Sequence, residues 1–198
     1  MANYITSDLH LGHRAIINYC PPTRGHFTDV DQMNETIVSN INSVVTEEDT
    51  LYILGDIAFM PPARACEFLK RINGSKVIVW GNHDHKLRRS TEFASQKSLM
   101  GVVWEGDYKE QTFVVDDVRQ QIMMMHFPIL EWNGKRRNSF HFFGHRHTSS
   151  LQWINGRSCD IGMDTNNLMP YCIDDLISQR IASERADPAC IQLEDYHG

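Results

Sequence analysis

An α/β fold is predicted by three features of this sequence. Residues 51–54 and 77–80 are apolar runs of strand length, each followed by a glycine. Before and between them, apolar residues recur at helical spacing. The resulting order of strand, helix, strand, helix, strand in the first half is that of a parallel, layered α/β unit.

Residues 3–8 read as a short, mostly buried strand. Chain direction breaks at Gly12, and residues 14–19 have helical character. Residues 20–26 are expected as a loop, because two prolines and a glycine interrupt any periodicity. Val30, Met33, Ile37, Val38, Ile41, Val44 and Val45 mark one face of a helix, with Asp29 or Asp31 as its cap. The strand at 51–54 follows. Pro61 and Pro62 open a second helix with Ala65, Phe68, Leu69 and Ile72 on one face, and Asn73-Gly74 closes it before the strand at 77–80. Residues 86–106 are expected to hold one helix. In the second half, residues 112–115 and 118–125 flank Asp116-Asp117 as a hairpin, and residues 140–143 form a strand ending at Gly144. Residues 151–154 and 157–161 flank Asn155-Gly156, the strongest short-range hairpin signal. A final helix over 174–182 follows Pro170, and the last ten or so residues are expected to be loosely tied.

A length of 198 residues fits one domain over 1–198. Such a chain should bury roughly 70% of the surface its unfolded form exposes. With 41% hydrophobic and 22% charged residues, the composition is that of an ordinary globular protein. A net charge of −6 and a pI near 5.9 argue against a broad nucleic-acid-coating surface. No signal peptide is evident, and no apolar run approaches the roughly 20 residues that span a bilayer. Cys20, Cys66, Cys159, Cys172 and Cys190 form no C-x-x-C pair. Free thiols in a reducing cytoplasm are therefore expected.

Five stretches concentrate metal ligands: Asp8-Leu9-His10, Gly55-Asp56, Gly81-Asn82-His83-Asp84, His126 and Gly144-His145-Arg146-His147. Taken singly, each has an ordinary explanation, such as a solvated turn or a hydrogen-bonded core histidine. Their joint occurrence at predicted strand ends, where open α/β sheets assemble sites, points to one centre. Residues two apart in a strand point the same way, which would aim Asp8 with His10, and His145 with His147, at one metal. Carboxylates, imidazoles and an amide together suit two divalent cations, and such a pair activates water against a phosphoester.

The series D-x-H, G-D, G-N-H-D, H and G-H-x-H resembles that of calcineurin-like metallophosphoesterases over residues 8–147, about 70% of the chain. The stretch from Asp160-Ile161-Gly162-Met163-Asp164 to Asp174-Asp175 is also similar to small bacterial and phage members. The resemblance implies a four-layer αββα sandwich, with two mixed β-sheets face to face and helices outside. It implies one metal held by Asp8, His10, Asp56 and His147, and another held by Asp56, Asn82, His126 and His145, with Asp56 bridging. It assigns His83 to protonating the leaving oxygen or stabilising the attacked phosphorus, and Asp84 to orienting the His83 ring. Manganese is the first choice of metal, with iron, zinc or nickel as alternatives. One departure narrows the substrate. Protein phosphatases of this superfamily carry G-D-x-x-D-R-G, whereas the stretch here is Gly55-Asp56-Ile57-Ala58-Phe59-Met60-Pro61. Phe59 stands in for the second aspartate, and the arginine is missing.

The expectation is a metal-dependent phosphoric ester hydrolase acting on a phosphodiester, such as a nucleotide, a cyclic nucleotide or a nucleic-acid end. The alternatives are a phosphomonoesterase, including a phosphoprotein phosphatase, and a non-catalytic metal- or nucleotide-binding module. The intact His83-Asp84 pair argues against the last. His13 and Arg14 follow the first motif across Gly12 and are candidate substrate contacts together with Asn82. Arg24 and His26 are expected to be exposed loop residues. No membrane partner is expected.

Overall fold

The computed structural model describes residues 1–154 and 156–187. The turn position Asn155 and the loosely tied end expected of the last ten or so residues lie outside the described residues. The first sheet contains β1 (Asn3–Thr6), β2 (Thr50–Ile53), β3 (Ser75–Val79), β4 (Val102–Gly106) and β10 (Tyr171–Cys172), in the order β10-β1-β2-β3-β4. β1 to β4 are parallel, and β10 runs antiparallel to β1. The second sheet contains β5 (Lys109–Val115), β6 (Val118–Met124), β7 (Phe140–Phe143), β8 (Trp153–Ile154) and β9 (Ser158–Asp160), in the order β5-β6-β7-β9-β8. Its three inner strands are parallel and its two edge strands antiparallel. Both sheets are thus mixed, and helices flank them, as the four-layer expectation requires.

The pleat explains why the first sheet reads as apolar runs instead of alternating ones. Leu51 and Ile53 pack toward α3 (Val30–Val44) and α4 (Pro62–Arg71). Tyr52 and Leu54 point the other way, into a core shared with Phe113, Ile122, Met124, Phe140 and Phe142 of the second sheet. A strand buried on both faces has no polar side to show. α7 (Ile173–Ala186) adds Ile173, Leu176 and Ile177 to the same inter-sheet core. On the far face of the second sheet, His141 is fully buried beneath Trp132, whose ring centroid lies 5.2 Å away.

Helix termini follow local chemistry. Asp29 caps α3 by accepting the Gln32 N–H at 2.8 Å. Pro62 opens α4 at a first-turn position, where its missing N–H costs nothing. The same logic overturns the loop expected at 20–26, where Pro21 opens a one-turn helix, α2 (Pro21–Arg24), preceded by α1 (Ile16–Tyr19). Residues 86–106 hold more than the single helix expected. They contribute to α5 (His85–Arg88), α6 (Thr91–Gln96) and the edge strand β4. β4 escaped notice because an edge strand need not be apolar throughout, and its Val103 is exposed. Among the described residues, no helix is long and apolar enough to cross a membrane.

Candidate metal centre

The loops that leave β1 and β2 run side by side. Leu54 N–H donates to Thr6 O at 2.8 Å, Asp8 N–H to Gly55 O at 3.0 Å, and His10 N–H to Asp56 O at 3.0 Å. This pairing sets Asp8 and His10 against Asp56. Strand alternation is not what aims them. β1 ends at Thr6 and β7 at Phe143, so the Asp8/His10 and His145/His147 pairs lie beyond their strands. Asp8, His10, Asp56, His145 and His147 instead share a left-handed backbone, with φ of 58°, 52°, 53°, 72° and 49°. That conformation is uncommon outside glycine and concentrates where function holds it.

Two glycines let the backbone close around the carboxylates. A Cβ on Gly144 would sit 2.0 Å from Ser7 Oγ and 2.4 Å from Asp8 Oδ2, and one on Gly81 would sit 2.4 Å from Asp56 Oδ1. No other residue fits at either place without displacing a carboxylate.

Two donor sets result. In the first, Asp8 Oδ1 lies 3.7 Å from both His10 Nε2 and His147 Nε2, which are 3.0 Å apart. In the second, His126 Nε2 lies 2.9 Å from Asn82 Oδ1 and 3.5 Å from Asp56 Oδ2, with His145 alongside. Asp56 Oδ2 is also 3.7 Å from His10 Nε2, so one oxygen faces both sets. The imidazoles are turned inward from behind. His126 Nδ1 donates to Leu54 O at 2.7 Å, and His147 Nδ1 donates to Asp164 Oδ2 at 2.9 Å. With Nδ1 engaged from behind, each ring turns its Nε2 toward the carboxylates, the way ligating histidines are held.

The donor chemistry fits cations. Asp8 Oδ2 accepts the His145 N–H at 2.9 Å, whereas Asp8 Oδ1 is buried without a hydrogen-bond partner. An orphaned, ionised carboxylate oxygen in a buried site is costly unless a positive species sits there. Burial works to raise the Asp8 and Asp56 carboxyls. The facing imidazoles outweigh it and hold both below the usual range, Asp56 at about 2.

Of the residues assigned to catalysis and substrate, His83 is exposed and lines a cavity beside both donor sets. Its backbone N–H donates to Asp56 Oδ1 at 3.0 Å. The role expected of Asp84 is corrected. Its buried carboxylate accepts from Asp56 N–H at 2.8 Å, Gly81 N–H at 2.9 Å and Ile57 N–H at 2.8 Å. Pointing inward from its turn, it ties two ligand loops together instead of facing the His83 ring. Burial pushes its carboxyl up to about 6 against those three hydrogen bonds. His13 lines the cavity, stacked on Phe59 at 3.9 Å and 9°. Burial lowers its pKa to about 4, which keeps the ring neutral. The Arg14 side chain is exposed and does not line the cavity.

Arg24 was expected at the surface and is fully buried. It donates to Leu9 O at 3.0 Å, to Asp8 O at 2.7 Å, and to both oxygens of Asp164. Arg24 and Asp164, which the motif reading did not place beside the donor sets, brace the first of them. The one available signal was Asp164 itself, inside a stretch already set apart by resemblance.

Known proteins resemble this chain in sequence and in fold. The family model for calcineurin-like phosphoesterases matches residues 3–189. An uncharacterized protein of Methanocaldococcus jannaschii is 40% identical over 83 residues, which cover 41% of this chain and 46% of that protein, less than half its length. The Gene 66 protein of Mycobacterium phage L5 is 25% identical over 189 residues, covering 81% of this chain and 86% of that protein. The crystal structure of a protein of unknown function from Aquifex aeolicus shares the fold. Its TM-score is 0.62 at 22% identity, covering 90% of this chain and 98% of that one.

Proposed function

The chain belongs to the calcineurin-like phosphoesterase family, and from that premise we propose a dinuclear, metal-dependent hydrolase of phosphodiesters. The observation that carries the dinuclear reading is Asp56 Oδ2, which stands 3.7 Å from His10 Nε2 in one donor set and 3.5 Å from His126 Nε2 in the other. Asp8, His10, Asp56 and His147 would hold one cation. Asp56, Asn82, His126 and His145 would hold the second. Manganese suits the mixed oxygen and nitrogen donors, and iron, zinc or nickel would be accepted. What a cation pair supplies when bound is an acidified water and neutralised charge at the phosphoryl oxygens.

The rest falls to the protein. The leaving oxygen needs a proton as its bond to phosphorus breaks, and the His83 ring stands exposed at the cavity to give it. Asp84 keeps the His83 turn locked to the Asp56 loop. The cavity lining supports a diester over a monoester. No lysine or arginine is among its lining residues. Beside the cation pair, no described lining residue offers a lysine or arginine for the second charge that a monoester can carry and a diester cannot. The replacement of the phosphatase aspartate by Phe59 points the same way. A reducing, cytoplasmic location fits the free cysteines Cys20, Cys66, Cys159 and Cys172.

The test compares manganese-loaded protein on bis-p-nitrophenyl phosphate and on p-nitrophenyl phosphate. Faster turnover of the diester is expected. Asp56→Asn should abolish turnover and weaken manganese binding. His83→Ala should keep manganese binding and slow turnover by about 10²- to 10⁴-fold. Turnover of the monoester alone would reverse the preference, and metal binding without turnover of either would favour a binding module.

A further inference from the structure

The cavity beside the donor sets has a volume of about 540 Å³. That is far more than a phosphoryl group fills and lies within the range that seats a small organic ligand. Its lining is of two kinds. Histidines of the donor sets and His83 belong to one, and Ile16, Tyr19, Phe59 and His13, which adjoin them, to the other.

The second kind is mainly flat rings. Phe59 stacks on His13 at 3.9 Å and 9°, and on His10 at 4.9 Å and 22°. Tyr19 stands edge-on to His13 at 6.2 Å and is 72% exposed. Tyr19 thus keeps most of its ring accessible while lining the cavity, where a flat ligand group could pack on it. Among the described residues, no lysine or arginine lines the cavity to match a further phosphate or carboxylate.

We propose that the substrate's second ester substituent is, or ends in, a flat aromatic group, a nucleobase or an aryl ring, seated against Tyr19 and the Phe59–His13 stack. This rests on the phosphodiesterase reading and deepens it. Ring faces prefer offset or edge-on ring partners, so a planar substituent gains more here than a saturated one of equal area. Tyr19 is then a specificity-determining residue.

The test uses phosphonates, whose P–C bond is not cleaved. Phenylphosphonate, cyclohexylphosphonate and inorganic phosphate are titrated calorimetrically into manganese-loaded protein. Phenylphosphonate should bind about fivefold tighter than cyclohexylphosphonate. Tyr19→Phe should keep that ratio, and Tyr19→Leu should collapse it toward one. Equal affinities in the unsubstituted protein would overturn the proposal while leaving the metal centre standing. A ratio retained in Tyr19→Leu would overturn the role of Tyr19. If neither the phosphonates nor phosphate binds, the phosphoesterase reading itself has failed, and the proposal with it.

Discussion

Arg24 holds Asp164 through two parallel hydrogen bonds, Nε to Oδ1 at 2.8 Å and Nη2 to Oδ2 at 3.0 Å, with neither side chain more than 1% exposed. The same guanidinium donates to Leu9 O and Asp8 O, and the same carboxylate accepts from His147 Nδ1. One ion pair therefore positions the backbone that carries Asp8 and the imidazole that faces it. Truncating the cation leaves a buried carboxylate short of its partner. Arg24→Met should cost on the order of 3–5 kcal/mol in denaturant-induced unfolding. A loss below about 1 kcal/mol would mean that the pair is not what holds this corner.

Asp164→Asn separates the pair's two duties. The amide no longer offers His147 Nδ1 a charged acceptor, so manganese affinity should fall by about 10- to 100-fold. Stability should fall as well, because Arg24 is left buried and uncompensated. Adding Arg24→Met to Asp164→Asn removes that lone charge, so the double variant should unfold less easily than the sum of the single losses implies. Calorimetry at a temperature where far-ultraviolet dichroism is native checks the affinity. Unchanged manganese binding would remove Asp164 from the centre.

The contrast between Arg24 and the motif residues shows what a sequence displays. Asp56, Asn82, His126 and His145 follow apolar runs, and a short apolar run followed by a glycine or a lone polar residue is a local signal that needs no partner. Arg24 lies in a short polar segment and is buried only because Asp164, 140 positions away, is folded against it. No spacing announces such a contact. The left-handed backbone of Asp8, His10 and His147 was equally invisible, since aspartate and histidine occur far more often in ordinary conformations. Asp84 was placed in the right turn and given the wrong partner, because its direction is set by the amides of Asp56 and Ile57 in another loop.

Gly144 gives the site its narrowest tolerance. Its backbone passes so near Ser7 and Asp8 that an added methyl would fall 2.0 Å from Ser7 Oγ and 2.4 Å from Asp8 Oδ2. Both neighbours are buried, so neither can swing away freely. Gly144→Ala should cost about 1–3 kcal/mol of stability through overpacking. It should also displace Asp8 and weaken manganese binding at the first donor set. Retention of both stability and affinity would show that the loop shifts without penalty.

Lys76 supplies a test of stability far from the donor sets. Its side chain is buried, and its ammonium donates to Gly74 O at 2.8 Å. Burial lowers its pKa from 10.5 to about 8, against a small upward pull from Glu47. The folded protein thus sheds this proton near pH 8, while the unfolded chain keeps it to about pH 10.5. Between those values the unfolded state binds more protons, so the Lys76 contribution makes stability rise with pH. Below pH 8 the group destabilises the fold by roughly 3 kcal/mol or slightly more. Lys76→Met fills the same space without charge. It should raise stability at pH 7 by about 1–3 kcal/mol once the lost Gly74 hydrogen bond is counted, and that advantage should shrink as pH climbs from 8 to 10. Urea unfolding of both proteins across that range measures the difference directly. An advantage that stays constant with pH would mean that the ammonium is not the source of the penalty.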